Sequence, residues 1–345
     1  MTQHPAGAGF PERLVRALPK VELHVHLGGA VTEATAIELA RRHGGDVTAD
    51  LRLVEGRYPG RYPDFEGFLD AYLASNAFVL TPDDLELVAA RFAEGQAAQG
   101  IVYSEVIFTA MIYARNGMQP AAMWSALRHG LAAGEPVARV NIVVDVIRDF
   151  GRPEAEATLA LIDGADAPIV GLCLTGIEGT VPTTDFTRLR AEARRLGLGF
   201  EVHAGEMGPP ASVVEALDIL EADRIGHGVA AIRDPQLVDR LVRDQVVLDV
   251  CPSSNVAIGQ YPSLDAHPVG PLIAAGANVT VSSDDPPFFA TTLTDELIAV
   301  ARVARLDADG VVELQRRAAR AAFLPETDRA ALVERIDAVA ARLTR

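Results

Sequence analysis

Lysine is almost missing from this chain: Lys20 is the single one, and arginine carries nearly all the positive charge. A Schiff-base mechanism, or a metal pair bridged by a modified lysine, needs a lysine at a buried strand end. Lys20, in Leu18-Pro19-Lys20, is expected just before the first strand, so those chemistries are set aside. Cysteine is nearly as scarce. Cys173 and Cys251 are too few for a disulfide framework and sit in apolar runs, as free buried thiols do. No apolar run approaches the roughly 18 residues of a membrane span, and no early stretch combines a basic start, an apolar run and a cleavage site. A soluble cytoplasmic protein is expected. A basic excess is also lacking. The formal net charge of −16 argues against a nucleic-acid groove and against a bare polyanion as ligand, and favours a small neutral molecule.

What is present in quantity is apolar residue, 49 % of 345, enough for a large core. Apolar or β-branched runs recur at 21–28, 101–108, 140–147, 169–176, 199–206, 224–229, 246–253 and 278–283. Segments of helical periodicity separate them, among them 153–162, 210–221 and 234–243. Strands this continuously apolar are buried on both faces. The pattern predicts an α/β protein, a closed (β/α)8 TIM barrel in one domain over 1–345, with an open doubly wound sheet as the alternative. The connection over about 31–100 is longer than a βα loop needs. It carries predicted helices at 32–43 and 64–80, the second with Phe65, Phe68, Leu69 and Tyr72 at helical spacing. An insertion there lies over the barrel mouth, so these aromatics serve as a lid over a ligand, as packing onto the barrel, or as both. The tail after Thr294 reads as helical, and Trp124 as core.

Polar residues collect at the predicted strand ends. His24 and His26 alternate with Val25 and Leu27, and a period of two puts both imidazoles on one face. Such a pair suits zinc or a pair of hydrogen-bonded core histidines. His203 ends the fifth run and Asp284 the eighth. Three neutral nitrogens and one carboxylate at the mouth of one barrel form a zinc-compatible set. A zinc ion lowers the pKa of water toward ~7.

Glu206 lies in the loop beyond His203. A desolvated carboxyl there can donate a proton, or it serves only as a charge at the next helix's N-terminus. His227, between Gly226 and Gly228, is placed to orient or deprotonate the attacking water. Asp285 either contacts a substrate or braces one of the histidines. His4, His43, His129 and His267 lack this context and are expected at the surface.

With these residues assembled, the chain resembles the adenosine deaminase family. The matching segments are Leu18 to Leu27, His203-Ala204-Gly205-Glu206, Arg224-Ile225-Gly226-His227-Gly228, Cys251-Pro252-Ser253-Ser254-Asn255 and Ser283-Asp284-Asp285-Pro286, in order over about Leu18 to Phe289. The resemblance implies a barrel with one zinc ion on His24, His26, His203 and Asp284. It implies that Glu206 protonates purine N1, His227 handles the attacking water, Asp285 contacts N7 and the Gly176 backbone contacts N3. Hydrolysis at C6 then releases ammonia from a purine nucleoside.

The chain departs from the family at informative places. After His26-Leu27 it has Gly28 where adenosine deaminases usually carry Asp and adenine-specific relatives tend to carry Glu. The missing carboxylate is expected to open space at the nucleoside 5′ end, making Gly28, with Phe65 and Phe68, part of the substrate pocket. Cys173 and Ile177 stand where acidic residues are common, and the second strand reads Glu105-Val106-Ile107-Phe108-Thr109-Ala110 where relatives tend to have Arg and Pro. The expected substrate is an adenosine-type nucleoside tolerant of 5′ substituents: adenosine, 5′-methylthioadenosine, S-adenosylhomocysteine or 6-amino-6-deoxyfutalosine. The alternatives are adenine, another cyclic amide bond cleaved on the same fold, or a binding protein without catalysis. Oligomeric state is not legible.

Overall fold

The computed structural model describes residues 10–343. Eight strands, β1 (Lys20–His26), β2 (Ile101–Phe108), β3 (Arg139–Ile147), β4 (Ile169–Thr175), β5 (Gly199–Ala204), β6 (Arg224–His227), β7 (Val247–Val250) and β8 (Asn278–Val281), form one parallel sheet in sequence order. The order follows from the alternation of strand and helix, since each crossover places the next parallel strand beside the last. All eight residues of β2 are buried, as a strand covered on both faces requires.

The sheet closes at the C-terminal mouth. Beyond the last ladder residue of β8, the His26 N–H donates to the Asp284 carbonyl (2.9 Å) and the Asp284 N–H to the His24 carbonyl (3.1 Å). Lower down the Ser282 hydroxyl takes the place of a ladder partner, accepting from the Leu23 and His24 amides and donating to Asp249. The fold is a (β/α)8 TIM barrel, with helices Leu293–Val303, Ala308–Ala321 and Glu326–Leu343 at its C-terminal end.

All eight predicted strands exist, but most end one to three residues before their apolar runs do. Gly28, Gly176, Glu206, Val229, Ser253 and Ser283 have left the sheet, because the site residues need non-ladder backbone. The long connection also divides. Helices Glu33–Arg42 and Phe65–Asn76 form its insertion, whereas Pro82–Ala98 packs on β2 and on the Pro120–Leu131 helix as an ordinary outer barrel helix. Thr81 and Asp84 cap that last helix reciprocally, with Pro82 in its first turn. Trp124 is buried, its indole N–H on the Leu161 carbonyl.

Lys20 lies inside β1 as its first residue rather than before it, fully buried, its ammonium on the Val15 and Leu18 carbonyls at the barrel end away from the mouth. Burial lowers its pKa to about 8. The lysine is buried, yet at the wrong end for mouth chemistry. Among the described residues no helix is long and apolar enough to cross a membrane.

The barrel interior is not purely apolar. Arg224, 1 % exposed, binds Glu201 (2.6 Å) and Glu105 (2.8 Å), with Asp249 4.0 Å away. The Phe323 ring stacks on its guanidinium at 4.2 Å, and a Cβ at Gly171 or Gly199 would strike that ring. Burial pushes Glu201 up, but the charges of Arg224 and His24 outweigh it and bring its pKa to about 2. Removing one partner from a buried ion cluster leaves the others uncompensated. Arg224→Leu is therefore expected to destabilise the fold by ~3–5 kcal/mol, read as a lower denaturant midpoint.

Candidate active site

The mouth of the barrel is built from period-two strands. On β1, His24 and His26 both turn inward, His24 wholly buried and His26 14 % exposed at its side chain. On β5 the same period brings in Glu201 and His203. The His24 and His203 rings stack at 4.4 Å between centroids, and the His26 ring meets each at 5.6 and 5.5 Å. Gly226 of β6 makes the stacking possible, because a Cβ there would lie 2.8 Å from His203 Cδ2 and 2.9 Å from His24 Cε1. Asp284 reaches in from the loop after β8, its Oδ1 3.5 Å from His24 Nε2 and 3.4 Å from His26 Nε2.

Both Asp284 and His227 hold left-handed backbone, φ 65° and 62°, which costs a non-glycine residue of order 1–3 kcal/mol. The barrel-closing bonds of Asp284 and, beside His227, the Gly228 N–H on the Ala204 carbonyl (3.0 Å) hold them there.

The donor set accommodates a metal. One ligand nitrogen each from His24, His26 and His203 lie within 4.8 Å of one another. The Nε2 atoms of His24 and His203 are buried with no hydrogen-bond partner, a costly arrangement unless a cation takes them up. Glu201 Oε1 lies 2.7 Å from His24 Nδ1, as a carboxylate does when it turns a ligating imidazole toward its ion. Three imidazoles and a carboxylate are a zinc donor set.

Glu206 follows Gly205, whose φ of +67° turns the chain out of β5. The carboxylate of Glu178 accepts the backbone N–H groups of Gly205, Glu206, Met207 and Gly208 and so pins this loop. Glu206 Oε1 then stands 3.7 Å from His227 Nε2. Burial, with the charges of Asp284 and Glu178, pushes the Glu206 pKa up to about 8. Asp285 is buried beside Asp284, which together hold its carboxyl well above the ordinary range.

Above these groups opens a cavity of about 470 Å³, a size suited to a small organic ligand. Phe65, Phe68 and Tyr72 of the insertion helix form one wall. Gly176 (φ +90°) lines another, its loop latched by Asp149 accepting the Ile177 N–H at 2.9 Å.

Matched to known families, residues 19–339 fit the adenosine deaminase model. The chain belongs to the adenosine deaminase family. It is 37 % identical over 326 residues to an adenine deaminase of Chelativorans sp., covering 93 % of this chain and 99 % of that one. It is 33 % identical to the aminodeoxyfutalosine deaminase of Streptomyces coelicolor, over 98 % and 89 % of the two chains. Among solved structures it resembles an adenine deaminase from Arthrobacter aurescens, with a TM-score of 0.86, 30 % identity and coverage of 93 % and 99 %. The relatives of this deaminase family are hydrolases of C–N bonds, and this member shares their barrel.

Within this family member, the expectation for Gly28 changes. The space beside Gly28 is filled rather than open. A Cβ there would lie 2.3 Å from Tyr72 Oη and 2.9 Å from Asn76 Oδ1, and Asn76 Nδ2 donates to the Gly28 carbonyl. The insertion helix supplies what the missing side chain leaves, and Tyr72, not Gly28, faces the cavity. Phe68 and Phe65 line the cavity and pack in a cluster with Tyr62, Phe288 and Phe289. Cys173 is buried against Ile107 and Val143, its thiol kept protonated by burial, and Cys251 is likewise free and buried.

The histidines set aside divide. His129 is exposed; His43 is half-buried with Nε2 2.8 Å from Asp84. His267 is 2 % exposed and bonded to Asn255, so it is no surface residue. His4 lies outside the described residues. The roles of Glu201 and His267 are the ones sequence reasoning misses. Only Glu201 left a signal in the sequence, two residues before His203 on the same strand face.

Proposed function

We propose that this protein is a zinc-dependent deaminase that hydrolyses the exocyclic C6–N bond of a 6-aminopurine, releasing ammonia and leaving a 6-oxopurine. The observation that carries the reading is the convergence of His24, His26, His203 and Asp284 on one point, with Glu206 and His227 at the same cavity floor. The three histidines and Asp284 would hold the zinc ion, which supplies Lewis acidity that makes water nucleophilic near pH 7.

The chain's own groups do the rest. Glu206, protonated through its raised pKa, gives its proton to N1 and so makes C6 electrophilic. His227 orients or deprotonates the water that adds to C6. Asp285 bonds N7 and the Gly176 backbone bonds N3, which fixes which ring edge faces Glu206. Phe65 and Phe68 cover the purine from the insertion side. The C6–N bond then breaks: the amino group takes one proton of the added water and leaves as ammonia, the proton given by Glu206 stays on N1 of the 6-oxopurine, and the water's other proton restores the Glu206 acid.

For the substrate we favour a nucleoside carrying an extended 5′ substituent over free adenine. The cavity lining includes Leu73, Phe150 and Ile177, which stand 48 %, 53 % and 38 % exposed, apolar surface that an extended 5′ substituent would cover. Arg115, the only guanidinium lining the cavity among the described residues, lies over the Phe150 ring at 4.6 Å. Adenine is the second reading, favoured by the names of most of the similar proteins.

Ammonia release from adenine, adenosine, 5′-methylthioadenosine, S-adenosylhomocysteine and 6-amino-6-deoxyfutalosine separates the two. A kcat/KM highest for a 5′-extended nucleoside, and lowered for it alone by Arg115→Ala, supports the first reading. Adenine as the best substrate overturns it, and no ammonia from any of the five overturns deamination. Gly28→Asp alone makes a poor probe here, since its side chain must first displace Tyr72.

A further inference from the structure

We propose that Asn255 and His267 are positioning residues that fix His227 in the tautomer protonated at Nε2, so that His227 meets the reacting centre as a hydrogen-bond donor rather than as a base. The inference rests on the deaminase reading for what His227 touches, but not for the tautomer itself.

A chain of hydrogen bonds runs back from His227 into the protein. His227 Nδ1 is 3.2 Å from Asn255 Nδ2, Asn255 Oδ1 is 3.1 Å from His267 Nε2, and His267 Nδ1 is 3.1 Å from the Val269 backbone nitrogen. Each side-chain link read alone leaves its direction open, because an imidazole nitrogen can give or accept and an amide can be turned over. The far end removes the ambiguity. A backbone N–H can only donate, so His267 Nδ1 must present its lone pair to Val269.

A neutral imidazole with Nδ1 bare carries its proton on Nε2. His267 is neutral because burial lowers its pKa to about 3, and no acid faces it across Asn255. Its Nε2–H therefore donates to Asn255, which must offer the carbonyl oxygen there. The amide is then turned with its NH₂ toward His227, and His227 Nδ1 must accept. His227 is left with its proton on Nε2, 3.7 Å from Glu206 Oε1 and 3.9 Å from Asp284 Oδ2.

The three side chains are 1 %, 0 % and 2 % exposed, so bulk water does not compete for these bonds. Asn255 is held by its own helix, and the His267 ring packs edge-on against Tyr261 at 4.9 Å. The backbone amide of Val269 thus sets the polarity of a site three residues away along the chain of bonds. The sequence left open whether His227 orients the attacking water or deprotonates it. A bare Nδ1 turned inward and an N–H turned outward make it the group that orients the water and steadies negative charge growing on its oxygen.

The test is ¹⁵N NMR of the zinc-loaded, ¹⁵N-histidine-labelled enzyme, with the His227 signals identified by their loss in His227→Gln. Wild type is expected to show a bare Nδ1 and a protonated Nε2; a protonated Nδ1 overturns the proposal. Asn255→Asp puts an acceptor opposite Nδ1 and is expected to draw the proton there; an unmoved proton overturns it too. His267→Phe is expected to lower kcat roughly 10–100-fold with KM little changed, as loss of an outer partner does, and His267→Gln, which keeps a donor to Asn255, to recover most of it. Equal rates in the Phe and Gln variants overturn the relay. A wild-type enzyme with the expected tautomer but no deaminase activity supports the relay and overturns the proposed function.

Discussion

Glu206→Gln is expected to lower kcat by roughly 10²–10⁴-fold, the usual worth of a positioned general acid, with metal content unchanged. The amide keeps the shape of the side chain and its place in the loop pinned by Glu178, but has no acidic proton to give N1. Because the residue lies three positions beyond His203 and outside the donor set, metal analysis of the variant should match wild type. The pH profile supplies an independent check. An acid works only while protonated, so kcat/KM of the wild type should fall as pH rises through about 8, and that alkaline limb should vanish in the variant. Turnover like wild type would end the proposed role of Glu206, whatever the metal content.

The second large effect is loss of a donor. His203→Ala removes a nitrogen from the point where three histidines and Asp284 meet, and leaves His24 unstacked. Metal analysis after gel filtration should find the ion largely gone and ammonia release reduced to background, with partial recovery at high added zinc. Glu201→Gln gives a graded comparison. It spares every nitrogen but removes the carboxylate 2.7 Å from His24 Nδ1, and outer partners of this kind are worth about 10–100-fold in affinity or activity. Glu201→Gln should thus bind metal less tightly than wild type but better than His203→Ala. Metal retained by His203→Ala at wild-type stoichiometry would remove His203 from the proposed ligand set.

Strand periodicity made much of the mouth legible. A two-residue repeat puts His24 with His26 on one face, and a parallel barrel brings the ends of β1, β5, β6 and β8 to one end of the molecule. The same repeat puts Glu201 on the face of His203, although nothing in the sequence marks it as the partner of His24. Other features left no such trace. Arg224 reads like any arginine opening a short strand, yet its charge is shared with Glu105 and Glu201 from two other strands. His267 reads like a polar loop residue, and its burial depends on Asn255 and Tyr261 closing over it. Gly28 suggested open space because sequence reports the missing side chain and not the neighbour that takes its place.

The sequence by itself determined the barrel, the strand ends that carry the polar residues, and the family, because burial on both faces and period-two alternation are local properties that short segments express on their own. Tertiary structure alone decided where the insertion helix lies, and with it that Tyr72 fills the place beside Gly28. It also decided which charges share the barrel interior and which way the hydrogen bonds run from Val269 to His227. Those outcomes depend on the approach of segments up to some 200 residues apart, as Arg224 is from the Leu23 carbonyl it binds. No local pattern encodes that approach; it is set when the sheet closes and each side chain settles into the space its neighbours leave.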